Sequence, residues 1–214
     1  MKIMLQNAGK KYNREWIFRN LDYTFNAGQS YAITGPNGSG KSTLLQVIAS
    51  STNTSEGTLF FGYNDEQKIE LENIHQHTAL AAPYLELIEE MSAVEFLDFH
   101  SIFKPLIKDI SVQEILEEVE LSKAAQKQIR LYSSGMKQRL KLAQAIFSDT
   151  PILLLDEPCT NLDAQGYSLY HNLIKKYCTQ KLIIVSSNDI NEYKFCTVQL
   201  NIMDYKPADR KSVV

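Results

Sequence analysis

The segment Gly35-Pro36-Asn37-Gly38-Ser39-Gly40-Lys41-Ser42, followed by Thr43, constrains this chain more than any other. It stands between an apolar run, Gln29 to Thr34, that reads as a short buried strand, and a helical pattern from Lys41 to Ser50. Glycines let successive backbone N–H groups turn inward around an anion, where a side chain would block approach. The helix that starts at Lys41 adds its positive end, and the lysine ammonium can reach the outer phosphates of a nucleotide. Ser42 offers a hydroxyl to magnesium. Average composition gives a chance match to the specified positions in about one chain in a hundred of this length. The strand before the loop and the helix after it make coincidence rarer still.

Two further segments supply chemistry. Ile152-Leu153-Leu154-Leu155-Asp156-Glu157 is an apolar strand ending in adjacent carboxylates. Ligand sites of open α/β sheets lie at the carboxyl ends of strands, so Asp156 arrives beside Ser42 and can hold magnesium, directly or through water. Glu157 can orient and deprotonate an attacking water. In isolation such a strand end is usually just solvated; behind the glycine loop it reads as a Walker B segment paired with a Walker A. The other segment, Leu131-Tyr132-Ser133-Ser134-Gly135-Met136-Lys137-Gln138-Arg139, leads into a helix over Leu140 to Phe147. A serine and a glycine at a helix N-terminus present a hydroxyl, free N–H groups and a dipole to an anion. Alone, that segment would read as an ordinary helix cap.

Order and spacing join these segments. Walker A at Gly35, the serine-glycine segment at Ser133, Walker B at Asp156 and then Asn161-Leu162-Asp163 resemble the ATP-binding subunits of ABC transporters, within the P-loop NTPase superfamily. The likeness covers nearly the whole chain. It implies an α/β fold with a parallel core sheet, an antiparallel β lobe and a small helical subdomain, with ATP and Mg2+ as cofactors and ATP hydrolysis as the activity. On the family pattern, Gly35 through Thr43 cradle the nucleotide, and Ser133, Ser134 and Gly135 form the signature motif. Asp163 closes the D-loop, and Tyr12 falls where an aromatic stacks on adenine. Lys41, Glu157 and Asn188 take the catalytic positions, and Ser42 and Asp156 the metal positions. Cys159, between Walker B and the D-loop, reads as a neutral filler.

The family pattern breaks twice. A glutamine normally follows the strand that here reads Thr78 to Ala82, but this chain has Pro83-Tyr84, and Gln76 comes too early. The switch histidine after Leu182 to Val185 is replaced by Asn188, which can donate a hydrogen bond to a phosphate oxygen but cannot carry a proton. Because Glu157 and every phosphate-cradling element remain, these read as tolerated variants rather than as loss of hydrolysis.

Organisation and composition fit one domain over residues 1–214, with the helical subdomain at approximately 84–136. Strands at Lys2 to Leu5, Phe18 to Phe25 and Gly57 to Phe61 suit the antiparallel lobe, and Ile152 to Asp156 and Lys181 to Ser186 the parallel sheet. Ser92 with Glu95 and Ser111 with Glu114 match capping boxes. A last strand is expected at Thr197 to Met203. Trp16 is read in a loop after Tyr12, Lys123 to Arg130 as a solvated helix face, and Lys206 to Val214 as loose. His75, His77, His100 and His171 lack metal-ligand companions and read as surface or packing residues. With 22 basic against 25 acidic residues, the net charge of −3 lacks the footprint of a nucleic-acid surface. Three cysteines suit thiols in a reducing cytosol. No apolar run approaches the roughly 20 residues of a membrane helix.

The resemblance therefore implies partners: a separate transmembrane permease subunit and a second ATPase subunit, as a homodimer or a paired chain. The protein would be cytoplasmic, peripheral on the membrane's inner face through its partner. The helical insertion, with the apolar connection Pro83 to Met91 before it, is the expected docking surface. Two rival readings are a cassette ATPase outside transport and an ATP-gated dimerisation module with little hydrolysis.

Overall fold

A computed structural model describes residues 1–63 and 67–207. The elements in chain order are β1 (Lys2–Tyr12), β2 (Glu15–Asn26), β3 (Ser30–Thr34), α1 (Lys41–Ile48), β4 (Glu56–Gly62), β5 (Lys68–Ile69), α2 (Ile74–His77) and β6 (Thr78–Ala81). They continue with α3 (Ala93–Phe103), α4 (Val112–Glu118), α5 (Ser134–Ile146), β7 (Ile152–Asp156), α6 (Ala164–Tyr177), β8 (Leu182–Ser186), α7 (Ile190–Tyr193) and β9 (Val198–Asn201).

Five strands, in the order β6-β7-β8-β3-β9, form a sheet whose neighbours all run parallel. Both faces are covered, and the strands show it residue by residue. In β7, Ile152 and Leu154 join a core with α1 and the β lobe, while Leu153 and Leu155 join one with the helices on the other side. Leu182 and Ile184 in β8 face the first core, and Ile183 and Val185 the second. A strand buried on both faces must be apolar at every position, which is why these runs do not alternate. β3 lies between β8 and β9, so the chain leaves the middle of the sheet directly into the phosphate loop and α1.

The second sheet, β2-β1-β4-β5, is antiparallel, as the sequence predicts for the lobe. Its strands are longer than the apolar runs suggested, because β1 and β2 continue to a two-residue turn at Asn13-Arg14. Asn13 accepts the left-handed φ of 53° that such a turn needs. Trp16 accordingly belongs to β2, opposite Lys11, and not to a loop; cross-strand pairing overrides the local polarity of the segment.

Between β6 and α5 the chain is helical. Both capping boxes form: Ser92 Oγ accepts from Glu95 N–H, Ser111 Oγ accepts from Glu114 N–H, and each glutamate reaches back to its serine. Lys123 to Arg130 is not a helix face; only single 3-10 turns stand there, at Ser122–Ala124 and Ile129–Leu131. The expected strand at Thr197 to Met203 ends at Asn201, whose side chain accepts from Met203 N–H and starts a 3-10 turn. Of the tail expected to be loose, residues 208–214 lie outside the described residues.

Candidate nucleotide site

The phosphate loop closes between β3 and α1. Gly38 has φ of +73°, and a Cβ there would meet no protein atom within 4 Å, so the space before it is open to a ligand. Gly40, at φ +106°, has the opposite constraint: a Cβ would stand 2.2 Å from Cγ2 of Ile17. One glycine is needed by the conformation and the ligand, the other also by the packing of the β lobe on the loop. Lys41 is 5% exposed, and its Nζ donates to the carbonyls of Gly35 at 3.0 Å and Pro36 at 3.3 Å. The loop's own acceptors thus hold the ammonium in the cradle.

The catalytic side of the site arises from register. Ala81 pairs with Leu155, and Asp156 with Ser186, so β6, β7 and β8 end side by side. Glu157 N–H then donates to Ser186 O at 2.9 Å, which bends the chain over the strand ends. Glu157 takes φ of 43°, a conformation that costs a non-glycine residue about 1 kcal/mol or more. That bend aims its carboxyl into a cavity of about 230 Å³ shared with Asn37, Gly38, Gly40, Lys41, Ser42 and Thr43. Asn188 donates from Nδ2 to Asn37 Oδ1 at 2.9 Å, tying the switch segment to the phosphate loop.

Asp156 is 2% exposed and its Oδ1 has no hydrogen-bond partner. A buried carboxylate oxygen left unpaired at the end of β7 is what a cation site requires. Ser39 Oγ is likewise buried and unpartnered within the loop.

The signature residues lie elsewhere. Ser133 caps α5, accepting from Met136 N–H at 3.2 Å, so Ser134 and Gly135 form the helix's first turn rather than a lead-in to a helix at Leu140. Ser133, Ser134 and Gly135 line a separate cavity of about 330 Å³ with Met136, Arg139, Asn161, Leu162 and Asp163. Asp163 caps α6 through Gly166 N–H at 2.8 Å. A buried bond from Gln138 Nε2 to Pro158 O, 2.7 Å, connects α5 to the turn after Walker B. Cys159 is buried in that turn, where burial above all, then the nearby Glu192 and Asp189 charges, push its thiol far above the ordinary range. It is inert.

Tyr12 does not line either cavity. It stands at the hairpin end of β1, 46% exposed, with Lys10 Nζ 5.0 Å from its ring centroid. Ile17 lines the phosphate cavity instead. No sequence motif marks Ile17; its position follows only from the β1–β2 register.

Fold and site define a P-loop nucleoside triphosphatase. A model of the ABC transporter family matches residues 18–160. An uncharacterised ABC transporter ATP-binding protein of Bacillus subtilis, YybJ, is 29% identical, covering 94% of this chain and 92% of its own. The cytochrome c biogenesis ATP-binding export protein CcmA of Rhizobium etli is 30% identical, with 87% of each chain covered. A dimeric ATP-binding cassette in a post-hydrolysis state with ADP and phosphate superposes with a TM-score of 0.79 at 25% identity, with 94% of each chain covered. The chain belongs to the ABC transporter family and is an ATPase of that family.

Proposed function

We propose that this chain, over residues 1–214, is a single ATP-binding domain with a helical subdomain at about 84–136, and that it powers a membrane transporter by closing as a dimer around ATP. The observation that carries this reading is the division of the site. The phosphate loop and Glu157 line one cavity, Ser133 to Gly135 line another, and no residue is common to the two. A second subunit placed head to tail brings its signature helix to the first subunit's phosphate loop, so each ATP lies between two chains.

Within each half, Lys41 and the loop amides hold the phosphates, and the N-terminus of α1 stabilises their charge. Ser42 and Asp156 would hold Mg2+, which would supply positive charge to offset the phosphate charge during hydrolysis. Glu157 takes a proton from the attacking water, and Asn188 donates to a phosphate oxygen from its position against Asn37. Tyr12 remains the candidate for adenine contact, from a ring accessible at the hairpin end. The membrane chain is supplied by a permease subunit, which places this domain on the cytoplasmic face; among the described residues no helix is long and apolar enough to cross a membrane. The name of CcmA, an export protein, and that of a lantibiotic transport relative support transport over a cassette ATPase outside it.

The test is assembly. Glu157→Gln should retain ATP and run as a dimer in size-exclusion chromatography with ATP and magnesium, and as a monomer without nucleotide. A variant that remains monomeric at saturating ATP, with nucleotide bound, overturns the dimer reading.

A further inference from the structure

The parallel sheet has a second end. The phosphate loop lies past the carboxyl end of β3; at the amino ends of β3 and β8 a cavity of about 490 Å³ opens, larger than the phosphate cavity and, among the described residues, sharing no lining residue with it. Ser30 begins β3, Ile183 is the second residue of β8, and both line the cavity. Leu182, Ile184 and Val185 are fully buried, whereas Ile183 keeps 5% exposure, so the hollow reaches the sheet itself.

Backbone geometry holds the lining in place. Cys178 N–H donates to Ile174 O at 3.0 Å at the end of α6, and Lys181 N–H donates to Cys178 O at 3.0 Å as the chain turns into β8. Ser30 Oγ donates to Phe195 O at 3.1 Å, and Thr197 N–H donates to Ser30 O at 2.9 Å, which pins the segment after α7 against β3. A preformed cavity of this volume is of the size that holds a small molecule.

The chemistry of the lining is one-sided. Ile174, Cys178, Ile183 and Phe195 give it apolar surface. Burial pushes the Cys178 thiol up to about 11, and burial, followed by the Lys194 charge, holds the His171 ring below its ordinary pKa, so both stay neutral at pH 7. Lys181 is buried, its Nζ donating to Ile146 O at 3.0 Å and Ser148 O at 2.5 Å. Lys175 and Lys194 differ: both are exposed, and among the described residues neither makes an ion pair and no carboxylate lines the cavity. An apolar hollow edged by two uncompensated ammonium groups complements an apolar body with a negative head.

We propose that this cavity is a binding site for a small amphipathic carboxylate, whose apolar body lies against Ile174, Ile183 and Phe195 and whose head group meets Lys175 and Lys194. A cationic amphiphile of the same length brings its charge against the two lysines, and a neutral one gives them nothing to pair with. The site is separate from the nucleotide site and does not depend on how the chain assembles.

The test is isothermal titration calorimetry of the full, nucleotide-free chain with octanoate, octanol and octylammonium, three probes with one apolar chain and different head groups. Octanoate should bind saturably at one per chain, octanol roughly tenfold more weakly, and octylammonium without saturation. Lys175→Gln with Lys194→Gln should weaken octanoate roughly tenfold, as two exposed charge contacts are lost together, and leave octanol unchanged. These surface substitutions should leave the melting temperature and ATP affinity as they are, which shows that the loss is local. Equal affinity for octanoate and octanol overturns the proposal, because the hollow then has no preference for an anion. So does octanoate binding that the lysine pair does not alter, which places the head group elsewhere, and so does the lack of any saturable binding.

Discussion

Asn188 stands where the family pattern has a histidine. A histidine there could donate and carry charge; the asparagine only donates, and its amide is already engaged by Asn37 on the phosphate loop. The bond keeps the amide at the loop's rim, where a phosphate oxygen can replace Asn37 as acceptor. Removing Glu157 is different in kind, because among the described residues no other carboxylate lines that cavity. Steady-state ATP hydrolysis should therefore fall about a hundredfold or more in Glu157→Gln. In Asn188→His it should change by less than about tenfold, the scale of one neutral hydrogen bond. Equal and severe losses in the two variants would show that the Asn188 amide is as critical to hydrolysis as the Glu157 carboxyl.

Elements are joined by polar contacts that no motif announces. His100 on α3 accepts at Nδ1 from Gln144 on α5 at 3.0 Å, and its Nε2 bonds Ser148 Oγ at 2.9 Å. The Gln144 amide is the donor, so the ring is neutral with its proton on Nε2, and Ser148 passes its own proton to Gln144 O at 2.6 Å. Burial first, and the Lys104 charge second, push the His100 pKa from its ordinary 6.5 down to about 4. A depressed pKa means the folded state resists protonation, so this contribution is intact above pH 6.5 and drains away as pH falls toward 4. After discounting for partial exposure, it amounts to about 1–2 kcal/mol by pH 5. The melting temperature should fall between pH 7 and 5 in the unaltered chain, and His100→Gln should flatten that slope. Parallel slopes would place the acid sensitivity elsewhere.

At the scale of the whole molecule, the apolar connection after β6 divides its residues. Leu87 is buried and packs with the helical core, while Leu85 and Ile88 are 38% and 39% exposed. Only the second kind can meet a partner. The cleft beside them, about 390 Å³, includes Pro83, Leu85 and Leu87 among acidic and basic side chains from the same loop and from α5. Leu85→Asp with Ile88→Asp should abolish co-purification with the membrane subunit while leaving nucleotide binding and the melting temperature nearly unchanged, since surface substitutions away from the core cost within about 0.5 kcal/mol. Intact assembly in that double variant would leave the helical part of the docking surface, such as the exposed Phe99, Ile102 and Phe103 of α3, or place docking elsewhere.

Residues whose chemistry is local could be read from the sequence. Gly38 and Gly40 require positive φ, Lys41 and Ser42 open a helix behind them, and Ser92 and Ser111 cap helices with glutamates three positions on, all within a few residues of chain. The apolar runs at Ile152–Asp156 and Leu182–Ser186 could be placed as strands because burial on both faces leaves no polar position. Trp16 and Ile17 could not be placed this way, because each owes its location to the pairing of strands. The sequence by itself determined the nucleotide loop, the carboxylates and the order of the motifs, since those follow from backbone conformation and residue chemistry. Tertiary structure decided that the phosphate loop and the signature residues line separate cavities and that Ile17 reaches the first of them, because sheet register fixes distances between residues that the chain keeps far apart.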